Sequence, residues 1–148
     1  MTFDEKLRLT LETDEGIVLE VYEDHLSHPT CGIGHLIIEG DEEWGRPVGT
    51  PVSPERVTEL FEADIESVIR DCHYLLPDFD GLPEPARVTA ASLMFQLGLP
   101  RYTKFIRHRE ALERGDWDAA ARELRNSRLY SQTPNRTERH AQRLEAIA

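Results

Sequence analysis

Three side chains near the start of the chain have types and a spacing suited to acid/base chemistry. Glu15 follows a helical pattern, Asp24 comes nine residues later behind a run of strand formers, and Thr30 follows a short turn. A carboxylic acid can protonate a leaving oxygen, while an ionised carboxylate can stabilise positive charge or activate water, and together these steps break a glycosidic bond. Each residue also has a simpler interpretation. Glu15 could be a solvated acid at a helix end, Asp24 a turn residue and Thr30 a strand former.

A helix and a small sheet must position these side chains. Residues 2–13 predict a helix with apolar residues at four-residue steps, and Gly16 ends it. Residues 17–23 predict one strand and residues 30–38 a second strand or a pair, while the glycines and prolines of residues 39–52 predict a loop. Such a small sheet requires a helix to pack against.

The remainder of the chain predicts helices. Ser53 is a suitable N-cap before Pro54, and the helix that starts there is expected to continue to about residue 73. Residues 86–97 are apolar nearly all round, which indicates a buried central helix. Further helices are predicted at residues 102–114, 116–124 and 134–147. The fold class is therefore α+β.

We expect one domain spanning residues 1–148. A small antiparallel sheet lobe occupies about 14–52, and a mainly helical lobe combines about 1–13 with 53–148. This length suits a single domain.

Asp64 falls inside the apolar stripe of the helix that starts at Pro54. An acid on an apolar face needs a partner, because burying an unpaired charge is costly. We expect His35 to be that partner, and the role of the pair to be structural.

Composition excludes several classes of protein. The chain is 39% hydrophobic and 30% charged, which fits a folded domain, and it has neither a membrane-length apolar run nor a signal-peptide pattern at its start. We therefore expect synthesis as a soluble cytosolic chain without membrane insertion. The net charge of −11 argues against nucleic-acid binding. The two cysteines, Cys31 and Cys72, are expected to be reduced thiols.

No metal or other cofactor is expected. His25, His28 and Cys31 form a possible zinc-binding run, but they fall in a predicted hairpin turn without a fourth ligand at a clear spacing. The remaining histidines outside the sheet lobe are expected at the surface; these are His73, His108 and His140.

The chain resembles the T-even-type bacteriophage lysozymes, which are muramidases that cleave peptidoglycan. Three segments in the same order and spacing carry the resemblance over about residues 3–140. They are Asp14-Glu15-Gly16 with Tyr22-Glu23-Asp24, Thr30 and Gly32-Ile33-Gly34-His35-Leu36; Met94-Phe95-Gln96-Leu97-Gly98; and Ser127 to Arg136, which reads Ser-Arg-Leu-Tyr-Ser-Gln-Thr-Pro-Asn-Arg.

The resemblance implies a lysozyme-like fold and a role for each site residue. Glu15 would be the general acid, Asp24 would orient or activate water on the opposite face of the sugar, and Thr30 would help to hold that water. The saccharide would contact Leu36, Phe95 and Gln96. The expected supporting pairs are Arg136 with Glu15, Arg139 with Asp14, and His35 with Asp64.

The chain departs from the family pattern in four respects. The loop at 39–52 is shorter, the C-terminus stops sooner, and the overall charge is acidic where the family is usually basic. Glu123 stands where a neutral, sugar-binding amide would be expected.

The resemblance implies hydrolysis of the β-1,4 bond between N-acetylmuramic acid and N-acetylglucosamine. A threonine rather than an acid at position 30 fits direct attack by water and therefore inversion. We expect a monomer that acts on peptidoglycan glycan strands at the end of phage infection, made in the host cytoplasm and released to the periplasm and cell wall by a separate holin. The alternatives are a virion-associated muramidase, an inactive peptidoglycan-binding module and a bacteriocin-like killing domain.

Overall fold

The computed structural model describes residues 1–148, which form eight α-helices and a three-stranded sheet. The chain divides into two compact units, a sheet unit of residues 8–67 and a helical unit of residues 1–7 and 68–148. The elements are α1 (Phe3–Glu15), β1 (Val18–Glu23), β2 (Pro29–Gly32), β3 (His35–Leu36), α2 (Pro54–Leu75), α3 (Glu84–Leu97), α4 (Leu99–Tyr102), α5 (Ile106–Glu113), α6 (Trp117–Arg125), α7 (Arg128–Gln132) and α8 (Pro134–Glu145).

The sheet is antiparallel in the order β1-β2-β3. Its register pairs Tyr22 with Thr30 and Thr30 with Leu36, so three strands meet at Thr30. The sequence predicted either one strand or a pair of strands at residues 30–38, and the structure has the pair, β2 and β3. Residues 39–52 form the predicted loop, which runs back along β1 through backbone hydrogen bonds that include Val21 N–H to the Thr50 carbonyl at 2.9 Å.

The two predicted helices that frame the sheet unit are present, and each continues about two residues beyond its predicted end, to Glu15 and Leu75. Gly16 stops α1 with φ of +71°, a conformation that favours glycine. The Ser53 hydroxyl accepts a hydrogen bond from Arg56 N–H at 3.1 Å, which caps α2. The apolar stripe of α2 is buried at Val57, Leu60, Phe61, Ile65, Val68 and Cys72 and partly exposed at Ile69.

Nine of the 14 residues of α3 are buried in the helical unit, which confirms a buried helix there. Asp116 caps α6 by accepting from Ala119 N–H at 3.1 Å. The helix predicted at 102–114 is wrong in its first part, because the backbone of Phe105 is not helical and separates α4 from α5. Pro100 lies in the first turn of α4, where proline is favoured. The guanidinium of Arg109 satisfies the Thr103 carbonyl at the break, at 2.7 Å.

The prediction that three histidines lie at the surface holds only for His73. His108 is 1% exposed and His140 is fully buried. His108 hydrogen-bonds the Tyr102 hydroxyl at 3.1 Å and the Ala120 carbonyl at 3.0 Å, so the core satisfies both ring nitrogens. The two cysteines are buried free thiols. None of the eight helices is long and apolar enough to cross a lipid bilayer.

Candidate active site

Glu15 is the last residue of α1 and is half-buried. Its carboxyl group lies against the backbone of Gly34, where a Cβ atom would come within 2.5 Å of Glu15 Oε2. Gly34 also has φ of +59°, which side-chain-bearing residues rarely adopt. The turn between β2 and β3 therefore needs glycine for two reasons, and the carboxyl group of Glu15 occupies the space that results.

Asp24 follows β1 and organises the turn to β2. Its Oδ1 accepts hydrogen bonds from Leu26 N–H and His28 N–H, both at 2.8 Å, while Oδ2 lies 3.6 Å from His28 Nδ1. Burial raises the pKa of Asp24, but the hydrogen bonds from His28 and Leu26 outweigh it and hold that pKa below its usual value. Asp24 is therefore ionised near neutral pH, and the turn leaves Oδ2 available for chemistry.

Thr30 lies in the central strand and is 5% exposed. Its hydroxyl donates to the His28 carbonyl at 2.9 Å. Because a hydroxyl has a single proton and two lone pairs, this bond leaves Thr30 Oγ1 able to accept a hydrogen bond from a ligand. His28 thus fixes both candidate groups, through its N–H to Asp24 and its carbonyl to Thr30.

Tyr22 joins the candidate site although the motif analysis gave it no role. It is half-buried in β1 and pairs with Thr30 in the register. Burial and the negative charges of Glu15 and Asp24, together with Cys31, raise the pKa of the Tyr22 phenol. Glu15 and Asp24 therefore act on a common neighbour. The sequence did offer one signal for Tyr22, because this residue lies in β1 only two positions before Asp24.

His35 forms the predicted hydrogen bond with Asp64, from Nδ1 to Oδ2 at 2.7 Å. Its second ring nitrogen, Nε2, lies 2.8 Å from Asp41 Oδ2, a contact that the sequence did not predict. Burial lowers the pKa of His35, but the hydrogen bonds to the two carboxylates outweigh it and raise that pKa above its ordinary value.

The three predicted substrate contacts lie in different surroundings. Leu36 is 50% exposed on β3. Phe95 and Gln96 are half-buried near the end of α3, the otherwise most buried helix. The Gln96 amide donates to Thr133 Oγ1 at 3.2 Å, which holds its side chain in place. Contact of these residues with a saccharide stays a prediction.

The two predicted arginines lie on α8. Arg136 is half-buried and Arg139 is exposed. Their expected partners, Glu15 and Asp14, belong to the sheet unit and are both half-buried at the end of α1. The two arginine–carboxylate pairs stay predictions.

Glu123 lines an open pocket of about 450 Å³ in the helical unit. Three cationic side chains, Lys104, Arg107 and Arg128, share the pocket wall with Glu123, so the charge of Glu123 is opposite to theirs. The full lining is Lys104, Phe105, Ile106, Arg107, His108, Glu123, Asn126, Ser127 and Arg128.

The structure contains no group of three or more histidine, cysteine or acidic side chains arranged to hold a metal ion. The eight helices and the small antiparallel sheet form an α+β fold of the lysozyme type. A sequence model of the family described as Phage lysozyme matches residues 12–139 of the chain.

Three proteins similar to this chain extend the comparison. Probable T4-type lysozyme 2 of Dictyostelium discoideum is 31% identical over 153 residues, covering 90% of this chain and 89% of that protein. The pre-baseplate central spike protein Gp5 of Enterobacteria phage T4 is 32% identical, covering 87% of this chain and 26% of its own length. Peptidoglycan hydrolase gp36 of Pseudomonas phage phiKMV is 29% identical, covering 84% and 13% respectively.

The chain belongs to the phage lysozyme family. It is accordingly a lysozyme-type enzyme. The chain spans about nine tenths of the Dictyostelium protein, but only about a quarter of the spike protein and about an eighth of gp36.

Proposed function

We propose that the chain cleaves the β-1,4 bond between N-acetylmuramic acid and N-acetylglucosamine and that it does so with inversion. The observation that supports this most is the division of roles in the sheet unit. One carboxyl group lies against a glycine backbone at Glu15, a second is ionised at Asp24, and the hydroxyl of Thr30 has its proton committed elsewhere.

In this mechanism Glu15 gives its proton to the glycosidic oxygen as the bond from that oxygen to C1 breaks. Asp24 stabilises the positive charge that develops on the sugar. A water molecule attacks C1 from the opposite face, with one hydrogen bonded to Thr30 Oγ1 and the other to Asp24 Oδ2. Asp24 takes the proton that the water loses. Exchange with solvent then returns a proton to Glu15 and removes one from Asp24.

The same proposal assigns the surrounding residues. Leu36, Phe95 and Gln96 bind the saccharide, Arg136 pairs with Glu15, and Arg139 pairs with Asp14. Exposure of Leu36 and the anchored amide of Gln96 support the binding roles.

Removal of either carboxylate tests the proposal. Glu15→Gln and Asp24→Asn should each lower the release of reducing ends from purified peptidoglycan by about a hundredfold or more. Glu12→Gln and Glu23→Gln are matched controls, because both remove an exposed acid beside the site, and each should retain activity. Folded Glu15→Gln protein that is as active as wild type would contradict the acid role, and a folded wild type without activity would favour an inactive binding module.

The stereochemistry has its own test. NMR observation of the first-formed anomer should show inversion at C1. Retention would overturn the assignment of water as the direct nucleophile.

We propose further that the enzyme lyses the host at the end of phage infection. It would act as a monomer, accumulate in the host cytoplasm, and reach the periplasm and wall after a holin permeabilises the membrane. The similarity to a phage central spike protein favours a second candidate, a muramidase carried on the virion. Mass spectrometry of purified virions separates the two, since only the second candidate predicts stoichiometric amounts there.

A further inference from the structure

His35 is enclosed by carboxylates on both sides of its ring. Nδ1 lies 2.7 Å from Asp64 Oδ2 on α2, and Nε2 lies 2.8 Å from Asp41 Oδ2 in the loop after β3. The histidine is only 7% exposed, and Asp41 and Asp64 are half-buried.

This geometry determines the charge of the ring. An ionised carboxylate can only accept hydrogen bonds, whereas a neutral imidazole has a single N–H. A neutral ring would therefore leave one of the two contacts without a proton. An imidazolium donates from both nitrogens and satisfies both acids, so the contacts are those of a protonated His35 between two carboxylates.

Asp41 is itself built into a closed turn. Its Oδ2 also accepts from Ile38 N–H at 3.0 Å, and its own N–H donates to the Ile38 carbonyl at 3.0 Å. His35 thus joins three separate pieces of the sheet unit, which are β3, the start of the 39–52 loop and α2. We call Asp41, His35 and Asp64 the histidine clamp.

The histidine clamp lies next to the candidate catalytic groups along the backbone. Gly34, the residue before His35, is the one against which the Glu15 carboxyl group lies. Leu36, the residue after it, pairs with Thr30. A movement of β3 would therefore displace the contact to Glu15 and the partner strand of Thr30 together.

We propose that Asp41 is a positioning residue for the glycosidase reaction, because it completes the charged histidine clamp that fixes residues 34–36 against Glu15 and Thr30. The proposal rests on the proposed function of those two residues. It also predicts a loss of activity in alkali as His35 gives up its proton, a transition separate from the loss of the Glu15 proton that the acid role itself requires.

The direction of the pH effect follows from the pKa shifts. The pKa of His35 is raised in the folded protein, so its contribution is complete below about 6.5 and is lost as pH rises through the folded value. The pKa of Asp41 is lowered on balance, because hydrogen bonds from Ile38 and His35 outweigh burial, so its contribution is lost only in acid. The clamp is therefore intact below about pH 6.5 and opens as pH rises through the folded pKa of His35.

The groups beside the ring, which are Glu43, Arg56 and Cys31, do not account for an alkaline transition of the clamp. Glu43 and Arg56 form a bidentate pair beside the clamp, and the pKa of Arg56 is raised by its hydrogen bond to Glu43. Cys31 faces His35 in the strand register, and burial with the charges of Glu43 and Asp41 raises the pKa of its thiol to about 11. The thiol therefore stays neutral through mild alkali.

The test compares Asp41→Asn with Glu43→Gln. Both variants remove one carboxylate from the same loop, but only Asp41 contacts His35, because Glu43 pairs with Arg56. We would record the pH profile of kcat/KM on purified peptidoglycan and, by ¹H–¹⁵N NMR, the protonation of the His35 ring. Thermal unfolding of each variant would report the structural cost separately.

For wild type we expect both ring nitrogens to be protonated at neutral pH. Asp41→Asn should move the alkaline limb of kcat/KM and the His35 titration down together by about one pH unit, which is about a tenfold loss of activity above both limbs. Glu43→Gln should lower the melting temperature without moving either midpoint.

Two results would overturn the proposal. One is a single protonated ring nitrogen at neutral pH, and the other is an alkaline limb that does not follow the His35 titration. A wild type that releases nothing at any pH would instead refute the proposed function and this inference with it. An active wild type whose profile is unchanged by Asp41→Asn would refute the inference alone.

Discussion

The two units each bury histidine, and they do so with opposite electrostatic results. In the sheet unit, His35 lies between two carboxylates, which raise its pKa despite burial. In the helical unit, burial lowers the pKa of His108 to about 4, and burial together with arginines that include Arg143 and Arg136 lowers that of His140. Burial alone therefore does not decide the charge of a histidine, because the charges and hydrogen-bond partners around its ring also act on its pKa.

The difference has a structural meaning for each unit. His108 is neutral and serves as a hydrogen-bonded core residue, with one nitrogen toward the Tyr102 hydroxyl and the other toward the Ala120 carbonyl. His35 is charged and joins a strand, a loop and a helix that hold the candidate site. A charged junction depends on pH near neutrality, whereas a neutral core residue does not until the solution is acidic.

We expect the largest change in the free energy of unfolding when one of the two acids around His35 is removed. Asp64→Asn should lower the free energy of unfolding at pH 6 by about 2–3 kcal/mol, because a buried imidazolium then keeps only one carboxylate. The cost should shrink as pH rises through the folded pKa of His35, since the neutral ring no longer needs both acids. Urea unfolding at several pH values measures both quantities. A cost that does not change with pH would show that His35 is neutral and remove the contrast with His108.

Removing a hydrogen-bond partner of His108 in the helical unit should cost less unfolding free energy, and this cost should not depend on pH. Tyr102→Phe leaves His108 Nε2 without its hydrogen-bond donor, which should cost about 1–2 kcal/mol of unfolding free energy. Because the folded pKa of His108 is about 4, this cost should be constant between pH 7 and 9.

The same unfolding curves check the wild type in acid. A histidine whose folded pKa is depressed contributes stability above its ordinary pKa of about 6.5 and loses it as pH falls toward the folded value. Wild-type stability should therefore decline below about pH 6.5, as the buried His108 resists protonation. Stability that stays level down to pH 4 would contradict the neutral assignment.

The contrast also shows what the sequence could predict. An acid within the apolar stripe of α2 required a partner, and this reasoning led to the contact between Asp64 and His35. Asp41 lies in a loop without periodicity, so nothing in the pattern indicated which way its side chain points. His108 was expected at the surface, and its burial follows from the packing of the core, which the local sequence around it does not reveal.

In the candidate site, too, some features follow from local sequence and others only from tertiary packing. The positions of Glu15 at a helix end, Asp24 after a strand and Thr30 in a strand follow from local sequence. The contact between Glu15 and Gly34 arises only when α1 packs on the sheet. Local patterns therefore located the residues, and tertiary packing determined what each of them touches.

The smallest change that compares the two units is the addition of one methyl group at a glycine in each. Gly34 and Gly115 both have positive φ, of +59° and +74°. A methyl group at Gly34 would collide with Glu15 Oε2 at 2.5 Å, whereas one at Gly115 would meet only Trp117 at an ordinary 3.8 Å. Each substitution to alanine should cost about 1 kcal/mol of stability from backbone strain.

Activity should separate the two variants where stability does not. Gly34→Ala displaces the Glu15 carboxyl group and should reduce reducing-end release about tenfold or more, since small displacements of a reacting group are costly. Gly115→Ala should remain within about twofold of wild type, because a methyl group there meets only Trp117 and touches none of the candidate catalytic side chains. Equal activity of the two variants would mean that the position of Glu15 tolerates the shift, and the candidate acid would then need neither Gly34 nor the strand that the histidine clamp holds.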